Sequence, residues 1–488
     1  MTETETDRNR WIALVVLCAG MLMIILDATI VNVALPSIQS DLGFSQSTLA
    51  WVVNAYLIAF GGLLLLAGRL GDLIGRKTMF LAGLAVFTAA SLVCGFAQSQ
   101  EVLITARFLQ GIGGAMTSGV ILGMIVTMFP EPREQAKAIA VYSFVASAGA
   151  SIGLLAGGFL TQGISWHWIF FVNVPIGVAT ALLAVRLVER EPGIGLKRGA
   201  DVPGAALITS ALMLAVYTIV QASDNGWGSV RTLLLGVVAV ALLIGFVVRE
   251  ATARNPLMPL RILRSRNVAG ANLVQVLMVA GLFGMFFLGV LYLQRVLGYD
   301  AIETGLAFLP VSVGIGVLSL GFSARLMTRF GPRATLLPGL TLIALGLALF
   351  TQAPVDGEYV TDVLPSMLLL GVGAGLSFTP LMTLAMSGAT PSDSGLASGL
   401  VNTTQQVGGA LGLAVLATLS TARSDDLLSR GEATASALTD GYQLAFTIGA
   451  GLVLVAIAVA ATVLEPVAQP AHEEAHLAEP KAALAEAS

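Results

Sequence analysis

The sequence predicts an all-α integral membrane protein with fourteen transmembrane helices, arranged as two six-helix bundles plus two linking helices. Three observations support this prediction. Of the 488 residues, 56% are hydrophobic and only 11% are charged, whereas a soluble globular protein carries about 25% charged residues. The apolar residues form runs close to the roughly 20 residues that a helix needs to cross a bilayer. The basic residues lie almost entirely in alternate loops.

The predicted spans are separated by short loops, and we number them 1 to 14 in chain order. They lie at residues 11–35, 49–67, 79–97, 103–128, 138–160, 166–187, 202–222, 231–249, 268–293, 303–324, 334–352, 362–387, 398–420 and 441–464. The first span follows an acidic N-terminus and is longer than the apolar part of a signal peptide, so we expect it to be retained.

The basic residues predict the side of the membrane on which each loop lies. With the N-terminus in the cytoplasm, twenty of the twenty-five lysines and arginines fall in cytoplasmic segments, four fall in outer loops, and only Arg107 lies within a span. Cytoplasmic loops carry the excess of positive charge in membrane proteins. We therefore expect a plasma-membrane protein with both termini in the cytoplasm.

Two long basic stretches, 186–198 and 249–266, bracket spans 7 and 8 and leave six spans on either side. We therefore predict an N-terminal bundle at 1–190, a linking helix pair at 191–266, a C-terminal bundle at 267–465 and a disordered cytoplasmic tail at 466–488. A weak repeat relates the bundles, because 68–77 after span 2 is similar to 324–333 after span 10. Repeated halves are typical of secondary transporters.

The composition excludes several classes of function. A net charge of −4 offers no basic face for nucleic acid, and no GxxxxGK[ST] motif is present to bind ATP. The loops are too short for a catalytic domain. The cysteines Cys18 and Cys94 lie in apolar runs, and the three histidines are too scattered for a metal site. We predict that the protein is not an enzyme and needs no cofactor or metal.

Asp27 is the most informative residue, because it is an acid inside an apolar span. A carboxylate there costs about 2.5 to 3.5 kcal/mol on insertion scales, so it indicates a functional site. Span 1 runs outward and span 4 runs inward, which places Asp27 and Arg107 at similar depths in the outer half of the bilayer. We expect them either to form a fixed structural ion pair or to form a site where Asp27 carries a proton.

Other segments carry glycine and polar patterns. The turn after span 2 contains Gly68, Asp72, Gly75 and Arg76. Asp72 is expected to cap span 3 or to pair across the interface between the bundles, whereas the nearby basic residues also serve the cytoplasmic charge bias. Span 5 contains Gly149, Gly153, Gly157 and Gly158. Their spacing predicts one glycine face that lets another helix approach closely.

A substrate cavity needs an apolar wall and a few polar groups. The candidates for its lining are Asn32, Asn54, Tyr56 and Gln110 in the first bundle and Gln275, Phe283 and Gln405 in the second. Each of these side chains could instead make an ordinary contact with another helix or with lipid.

The chain resembles the major facilitator superfamily, in particular its branch of fourteen-helix drug:proton antiporters. The resemblance is carried by the segments 26–36, 68–77, 107–115, 149–158 and 166–177. It implies a proton-coupled secondary transporter that exports small amphipathic organic compounds, such as drugs, antibiotics and lipophilic cations, by alternating access. We expect a monomer whose partners are its substrate, protons and the lipid bilayer.

The resemblance also implies roles for individual residues. Asp27 and Arg107 are expected in proton coupling, and the turn containing Asp72 and Arg76 is expected to form a cytoplasmic gate. The glycines of span 5 imply an antiporter, but Leu154 stands where the antiporter pattern has proline. Symport therefore stays open. Export of an endogenous metabolite or lipid is also compatible with the sequence, and so is a non-transporting membrane sensor.

Overall fold

The computed structural model describes residues 3–189, 193, 195, 201–253, 256, 260–387 and 394–466. Within these residues every regular element is a helix and there is no strand. The prediction of an all-α protein is therefore confirmed. The predicted tail at 466–488 lies outside the described residues, apart from its first residue.

Eight α-helices come from the first part of the chain. They are α1 Glu3–Leu42, α2 Gln46–Leu49, α3 Trp51–Ile74, α4 Arg76–Gly95, α5 Gln100–Met128, α6 Pro132–Gly163, α7 Trp168–Phe171 and α8 Asn173–Leu187. Local chemistry determines several ends. The hydroxyls of Ser45 and Ser99 cap α2 and α5. Gly75 joins α3 to α4 at a φ of +101°, which residues with a side chain rarely adopt.

Ten more α-helices follow. They are α9 Val202–Asn225, α10 Val230–Thr252, α11 Arg266–Arg295, α12 Ala301–Ala307, α13 Leu309–Val317, α14 Ser323–Phe330, α15 Pro332–Phe350, α16 Leu364–Met386, α17 Ser394–Ser429 and α18 Thr434–Thr462. A 3₁₀ turn, Leu260–Arg264, precedes α11. Two π-helical turns, Leu318–Phe322 and Tyr359–Val363, precede α14 and α16.

Eleven helical segments in the described part of the chain are long and apolar enough to cross a membrane, or twelve if the two parts of the bent α3 count as one span. The predicted spans at 138–160 and 303–324 are not among them. They fall on α6 and on the shorter helices α12 to α14. The chain is therefore a multi-pass membrane protein, and the number fourteen stays a prediction.

Hydrogen bonds between helices define the two ends of the molecule. Arg10 near the start of α1 donates to the carbonyl of Met128 at the end of α5, at 3.4 Å. At the opposite end, Gln100 at the start of α5 donates to the carbonyl of Leu42 at the end of α1, at 3.1 Å. We call the end that holds the start of α1 the terminal end and the opposite end the distal end.

The helices pack in two groups. In the first group α1 lies against α6 and α8, and α3 and α4 both lie against α5. In the second, α11 lies against α17 and α18, and α15 lies against α16 and α18. The first group contains both Asp27 and Arg107. The predicted domain boundary at residue 190 lies outside the described residues.

The helices α9 and α10 pack on each other and cover one side of the seam between the two groups. α9 contacts both α3 and α17. A β-carbon added to Gly62 of α3 would lie 2.8 Å from the hydroxyl oxygen of Thr209 in α9. Most apolar side chains of α10 are exposed, which suits a helix that faces lipid.

The two groups contact each other between α3 and α17 and also at the distal end. Gln294 of α11 donates to the carbonyl of Val33 in α1 at 3.1 Å. Gln162 near the end of α6 donates to the carboxylate of Asp300, just before α12, at 2.9 Å. These hydrogen bonds join the groups on the distal side of Asp27.

Candidate functional site

Asp27 lies within α1 and has no solvent-exposed surface. Nη1 of Arg107 in α5 donates to its Oδ2 at 2.6 Å, and both side chains are 0% exposed. Burying two charges costs several kcal/mol for each, and their attraction offsets this cost only when the geometry is close and the other polar atoms are satisfied. The structure therefore pairs the two residues that the sequence placed at similar depths.

Two amides complete the contacts of the carboxylate. Nε2 of Gln110 and Nδ2 of Asn173 both donate to Oδ1 of Asp27, at 2.7 and 2.8 Å. Gln110 lies three residues after Arg107, so both side chains share one face of α5. Asn173 is the first residue of α8. Both amides therefore donate to one oxygen of Asp27, while Arg107 donates to the other.

Arg107 is held from several sides. Its Nε donates to the carbonyl of Val52 in α3 at 2.9 Å, and its Nη1 also donates to Oε1 of Gln110 at 2.6 Å. The guanidinium lies over the ring of Tyr56, 4.4 Å from the centroid, where the face of the ring attracts a cation. These contacts fix the position of the positive charge beside Asp27.

Ser91 adds a contact from α4. Its hydroxyl accepts from Nε2 of Gln110 at 2.8 Å and donates to the carbonyl of Phe87 at 2.8 Å. Five helices thus meet at one polar site inside an apolar bundle. We call this site the Asp27 cluster, which consists of Asp27, Tyr56, Ser91, Arg107, Gln110 and Asn173.

Sequence analysis missed two members of this cluster as site residues. Asn173 stands in the segment 166–177, which carries part of the family resemblance, so the sequence contained a usable signal. Ser91 is a single hydroxyl in an apolar span, and no feature of the sequence distinguishes it from an ordinary helix-packing serine.

The four cavity candidates of the first bundle have different environments in the structure. Tyr56 and Gln110 belong to the Asp27 cluster. Asn54 in α3 is 0% exposed, and its amide has no hydrogen-bond partner in the described part of the chain. Asn32 is partly buried and donates to the carbonyl of Ala28 in its own helix at 3.3 Å.

The three candidates of the second bundle lie on two helices that pack together. Gln275 and Phe283 are in α11, and Gln405 is in α17. Gln275 is buried, whereas the other two are partly buried. Phe283 lies against Gly409 of α17, where an added β-carbon would be 3.2 Å from the ring. No hydrogen bond among the described residues joins any of the three to the Asp27 cluster.

Three glycines of α6 face α1. A β-carbon on Gly153 would lie 1.9 Å from Oγ1 of Thr29, and one on Gly157 would lie 2.8 Å from the carbonyl oxygen of Ile30. Gly149 faces the same helix one turn earlier. Only residues without a side chain permit helices to approach this closely. The predicted close approach is present, and the helix that approaches is the one that carries Asp27.

Gly158 faces a different neighbour. A β-carbon added to Gly158 would lie 2.5 Å from the carbonyl oxygen of Ala301 at the start of α12, in the second group. The expectation that all four glycines share one face was therefore wrong for Gly158. Adjacent residues in an α-helix are rotated by about 100°, so Gly157 and Gly158 meet different helices. Leu154 lies within α6, whose only proline is at its start.

The turn after α3 is held within the first group. Nε of Arg76 donates to Oδ1 of Asp72 at 3.0 Å, and its Nη1 donates to the carbonyl of Gly123 in α5 at 3.0 Å. Gly68 lies against the backbone of Gly119 in the same helix. Asp72 does not cap the next helix, because the N-cap position of α4 is Gly75 and no side chain caps it. Its ion-pair partner is Arg76, four residues later.

The chain matches the sequence model of the Major Facilitator Superfamily over residues 17–413. This match begins in the first half of α1 and ends within α17. It therefore includes the Asp27 cluster, the α9–α10 pair and most of the second group.

Several relatives match nearly the whole chain. The puromycin resistance protein pur8 of Streptomyces alboniger is 39% identical over 473 residues, which cover 96% of this chain and 94% of that protein. The cephamycin export protein CmcT of Amycolatopsis lactamdurans is 38% identical over 460 residues, which cover 94% and 93%. The tetracenomycin C resistance and export protein of Streptomyces glaucescens is 34% identical over 418 residues, which cover 86% and 77%.

Solved structures share the fold at lower sequence identity. A bacterial homolog of the human lysosomal transporter Spinster, in an inward-facing and unoccupied conformation, has a TM-score of 0.67 and 16% identity, covering 95% of this chain and 99% of that one. The human organic anion transporter MFSD10 has a TM-score of 0.62 and 16% identity, covering 92% and 99%. At these identities the likeness shows the fold alone.

Proposed function

The chain belongs to the Major Facilitator Superfamily and is therefore a transporter rather than an enzyme, and on this premise we propose that it exports small amphipathic organic compounds in exchange for protons. The relatives support this class of substrate, since their names refer to puromycin resistance and to the export of cephamycin and tetracenomycin C. The likeness to the first two extends over almost the full length of both proteins. It therefore includes both groups of helices.

The observation that carries proton coupling is the buried ion pair of Asp27 and Arg107. When Asp27 is ionised, the pair is neutral overall and both carboxylate oxygens of Asp27 accept hydrogen bonds. When Asp27 gains a proton, Arg107 loses its counter-ion while it is still buried, which is costly. Protonation then favours a different arrangement of α1 relative to α5. One proton can in this way bias the conformation of the bundle.

The contacts between the two groups support alternating access. In the described conformation they meet at the distal end through Gln162–Asp300 and Gln294–Val33. In the other state of the cycle, these hydrogen bonds are broken and the distal end is open. Rocking of one repeated half against the other is the usual form of this motion. We assign the gate at the terminal end to the turn that contains Asp72 and Arg76.

The distribution of basic residues supports the orientation. Fourteen spans with both termini in the cytoplasm of a plasma-membrane protein place the terminal end inside and the distal end outside. The described conformation is then the one closed to the outside. In this proposal the protein works as a monomer in the lipid bilayer, and the proton gradient supplies the energy without a cofactor.

Proton flux in proteoliposomes tests the proposal. Purified protein is reconstituted with a pH-sensitive dye inside the vesicles, and puromycin or ethidium is added on one side. We expect substrate to drive protons in the opposite direction in the wild type and not in Asp27→Asn. Asp426→Asn is the matched control, because it makes the same change in an exposed pair with Arg430. It should behave as the wild type.

Each other outcome has a definite meaning. Proton flux that persists in Asp27→Asn contradicts the role of Asp27. Proton and substrate movement in the same direction identifies a symporter, which the leucine at position 154 left open. Substrate binding without any flux in the wild type contradicts transport of these compounds.

A further inference from the structure

Three polar atoms of the Asp27 cluster are buried without a hydrogen-bond partner among the described residues. They are Nη2 of Arg107, Oδ1 of Asn173 and the hydroxyl of Tyr56. These side chains are at most 2% exposed. A buried polar atom without a partner costs about 1 to 3 kcal/mol, and ordered water usually satisfies such atoms. The cluster is therefore suited to hold water beside Asp27.

The Tyr56 hydroxyl lies on the terminal side of the cluster. A β-carbon on Gly114 would lie 3.2 Å from this oxygen, and Gly114 is four residues beyond Gln110, about one turn of α5. α5 runs from the distal end to the terminal end. Because Gly114 has no side chain, there is room for the hydroxyl beside the helix at this level.

Ser118 lies one further turn along the same face of α5, toward the terminal end. Its hydroxyl donates to Sδ of Met21 in α1 at 3.8 Å. Gln110, Gly114 and Ser118 are spaced by four residues and share one face of α5, where neighbouring positions are about 6 Å apart. That is about twice the length of an O–H···O hydrogen bond.

We propose that this line, from Asp27 past the Tyr56 hydroxyl to Ser118, is a hydrated proton route to the terminal end, in which Tyr56 relays the proton. The inference rests on the proposed function, in which Asp27 carries the coupling proton. It also fits the described conformation, because Gln294 and Val33 join the two groups on the distal side.

The transfer needs no reagent other than water. The Asp27 carboxylic acid gives its proton to a bridging water, which passes a proton to the Tyr56 oxygen while Tyr56 gives its own proton to the next water. Only O–H bonds form and break, and the hydroxyl ends in its neutral form. Asp27 is left as the carboxylate that pairs with Arg107.

Packing alone does not account for a tyrosine at this position. Phenylalanine would place the same ring over Arg107 without burying an unpartnered hydroxyl. Among the described residues, the charged groups that face Tyr56 are Asp27 from α1 and Arg107 from α5. The thiol of Cys94 in α4 lies behind Gln110, with its Sγ 3.7 Å from Oε1 of that residue. None of these donates to the hydroxyl or accepts from it. A role in relaying protons explains why the oxygen is present.

Tyr56→Phe tests the route, because it removes the hydroxyl and keeps the ring. Full-length protein in lipid nanodiscs is subjected to an alkaline pH jump, and infrared spectroscopy follows loss of the protonated carboxyl band that Asp27→Asn removes. We expect Tyr56→Phe to keep the band amplitude and to lose the band at least about tenfold more slowly. Tyr217→Phe is the matched control. Its hydroxyl accepts from Arg231 at 3.2 Å, and the variant should match the wild type.

Ser118→Ala provides a second variant on the same line and should also slow the loss of the band, which keeps the test decisive if Tyr56→Phe does not fold. Wild-type rates in the folded variants overturn the route. Equal slowing in Tyr217→Phe also overturns the assignment to Tyr56, because the effect is then not specific. A band that survives Asp27→Asn contradicts the proposed function instead, so the two failures can be distinguished.

Discussion

Nη1 of Arg107 lies 2.6 Å from Oδ2 of Asp27, and neither side chain has any exposed surface. The pair joins α1 to α5 in the interior of the first group. The attraction between the two charges offsets the cost of burying them. A change in either residue is therefore expected to affect both the stability of the bundle and its conformation.

Removing both members of the pair should be less harmful than the sum of the single changes. Asp27→Asn and Arg107→Gln each leave one charge buried without its partner, which costs about 3 to 5 kcal/mol. The double variant has no buried charge, so we expect a coupling energy of about 2 kcal/mol. Equilibrium unfolding of the wild type, the two single variants and the double variant in detergent measures this coupling energy. Additive effects of the two changes would contradict a direct interaction. The exposed pair of Asp426 and Arg430 is the control, and its coupling energy should be less than about 1 kcal/mol.

Gly153→Ala should separate α6 from α1 and reduce transport. The new β-carbon would lie 1.9 Å from Oγ1 of Thr29, and relieving such overpacking costs about 1 to 3 kcal/mol of stability. Thermal unfolding and substrate efflux measure the two effects. Gly163→Ala at the end of the same helix is the control, since nothing lies within 4 Å of its β-carbon. Wild-type behaviour of both variants would show that the close approach is not needed.

Cross-linking the distal contact should stop transport. Cysteines in place of Gln162 and Asp300, joined by a short thiosulfonate reagent, hold the two groups together where the native side chains meet at 2.9 Å. We expect efflux to fall to the background level and to return after reduction. Gln162→Cys alone, treated with the same reagent, is the control. The native cysteines Cys18 and Cys94 are buried, so the reagent should not join them to the new cysteines. Full efflux by the cross-linked protein would show that this end does not open.

The hydrogen bond between Gln162 and Asp300 should persist at neutral and mildly acidic pH. The backbone N–H of Glu303 and the amide of Gln162 hold the pKa of Asp300 below its ordinary value. The contribution of the ionised group is therefore fully present above the ordinary aspartate pKa and is lost only as the pH falls through the lowered value. The rate at which Gln294→Cys reacts with a thiol reagent reports opening of this end. A rate that rises already between neutral and mildly acidic pH would contradict the expectation.

Asp72→Ala should change the balance between the two access states rather than substrate affinity. Arg76 loses the carboxylate that lies 2.9 Å away, while its contact with the Gly123 carbonyl stays. Labelling of Gln294→Cys measures the change in the population open at the distal end. Asp426→Ala removes the acid from another pair spaced by four residues and should leave the labelling rate unchanged. An equal rate with and without Asp72 would contradict a gating role.

The polar site was predictable in part. Asp27 and Arg107 were identifiable because a charge in an apolar span is rare, and alternation of the spans placed them at similar depths. The cavity candidates were chosen by residue type, and type alone does not distinguish Tyr56 and Gln110, which join the cluster, from Asn32, which bonds to its own helix. The rotation of each helix about its axis makes that difference.

The glycines of α6 illustrate the same limit. Spacing by four residues correctly predicted a close approach by Gly149, Gly153 and Gly157, because periodicity within one helix is a local property. It did not predict that Gly158 contacts Ala301 of the second group. That contact depends on how the two groups of helices meet, which no local pattern records.

The sequence by itself determined that this is a helical, multi-pass membrane protein with one acid and one arginine well inside its spans. Hydrophobicity and charge are properties of single residues and short windows, so composition and periodicity reveal them. Only the tertiary structure decided that Asn173, 146 positions from Asp27, and Ser91 complete the site. Hydrogen bonds act over less than about 3.5 Å, so their partners depend on the packing of distant segments rather than on their order in the chain.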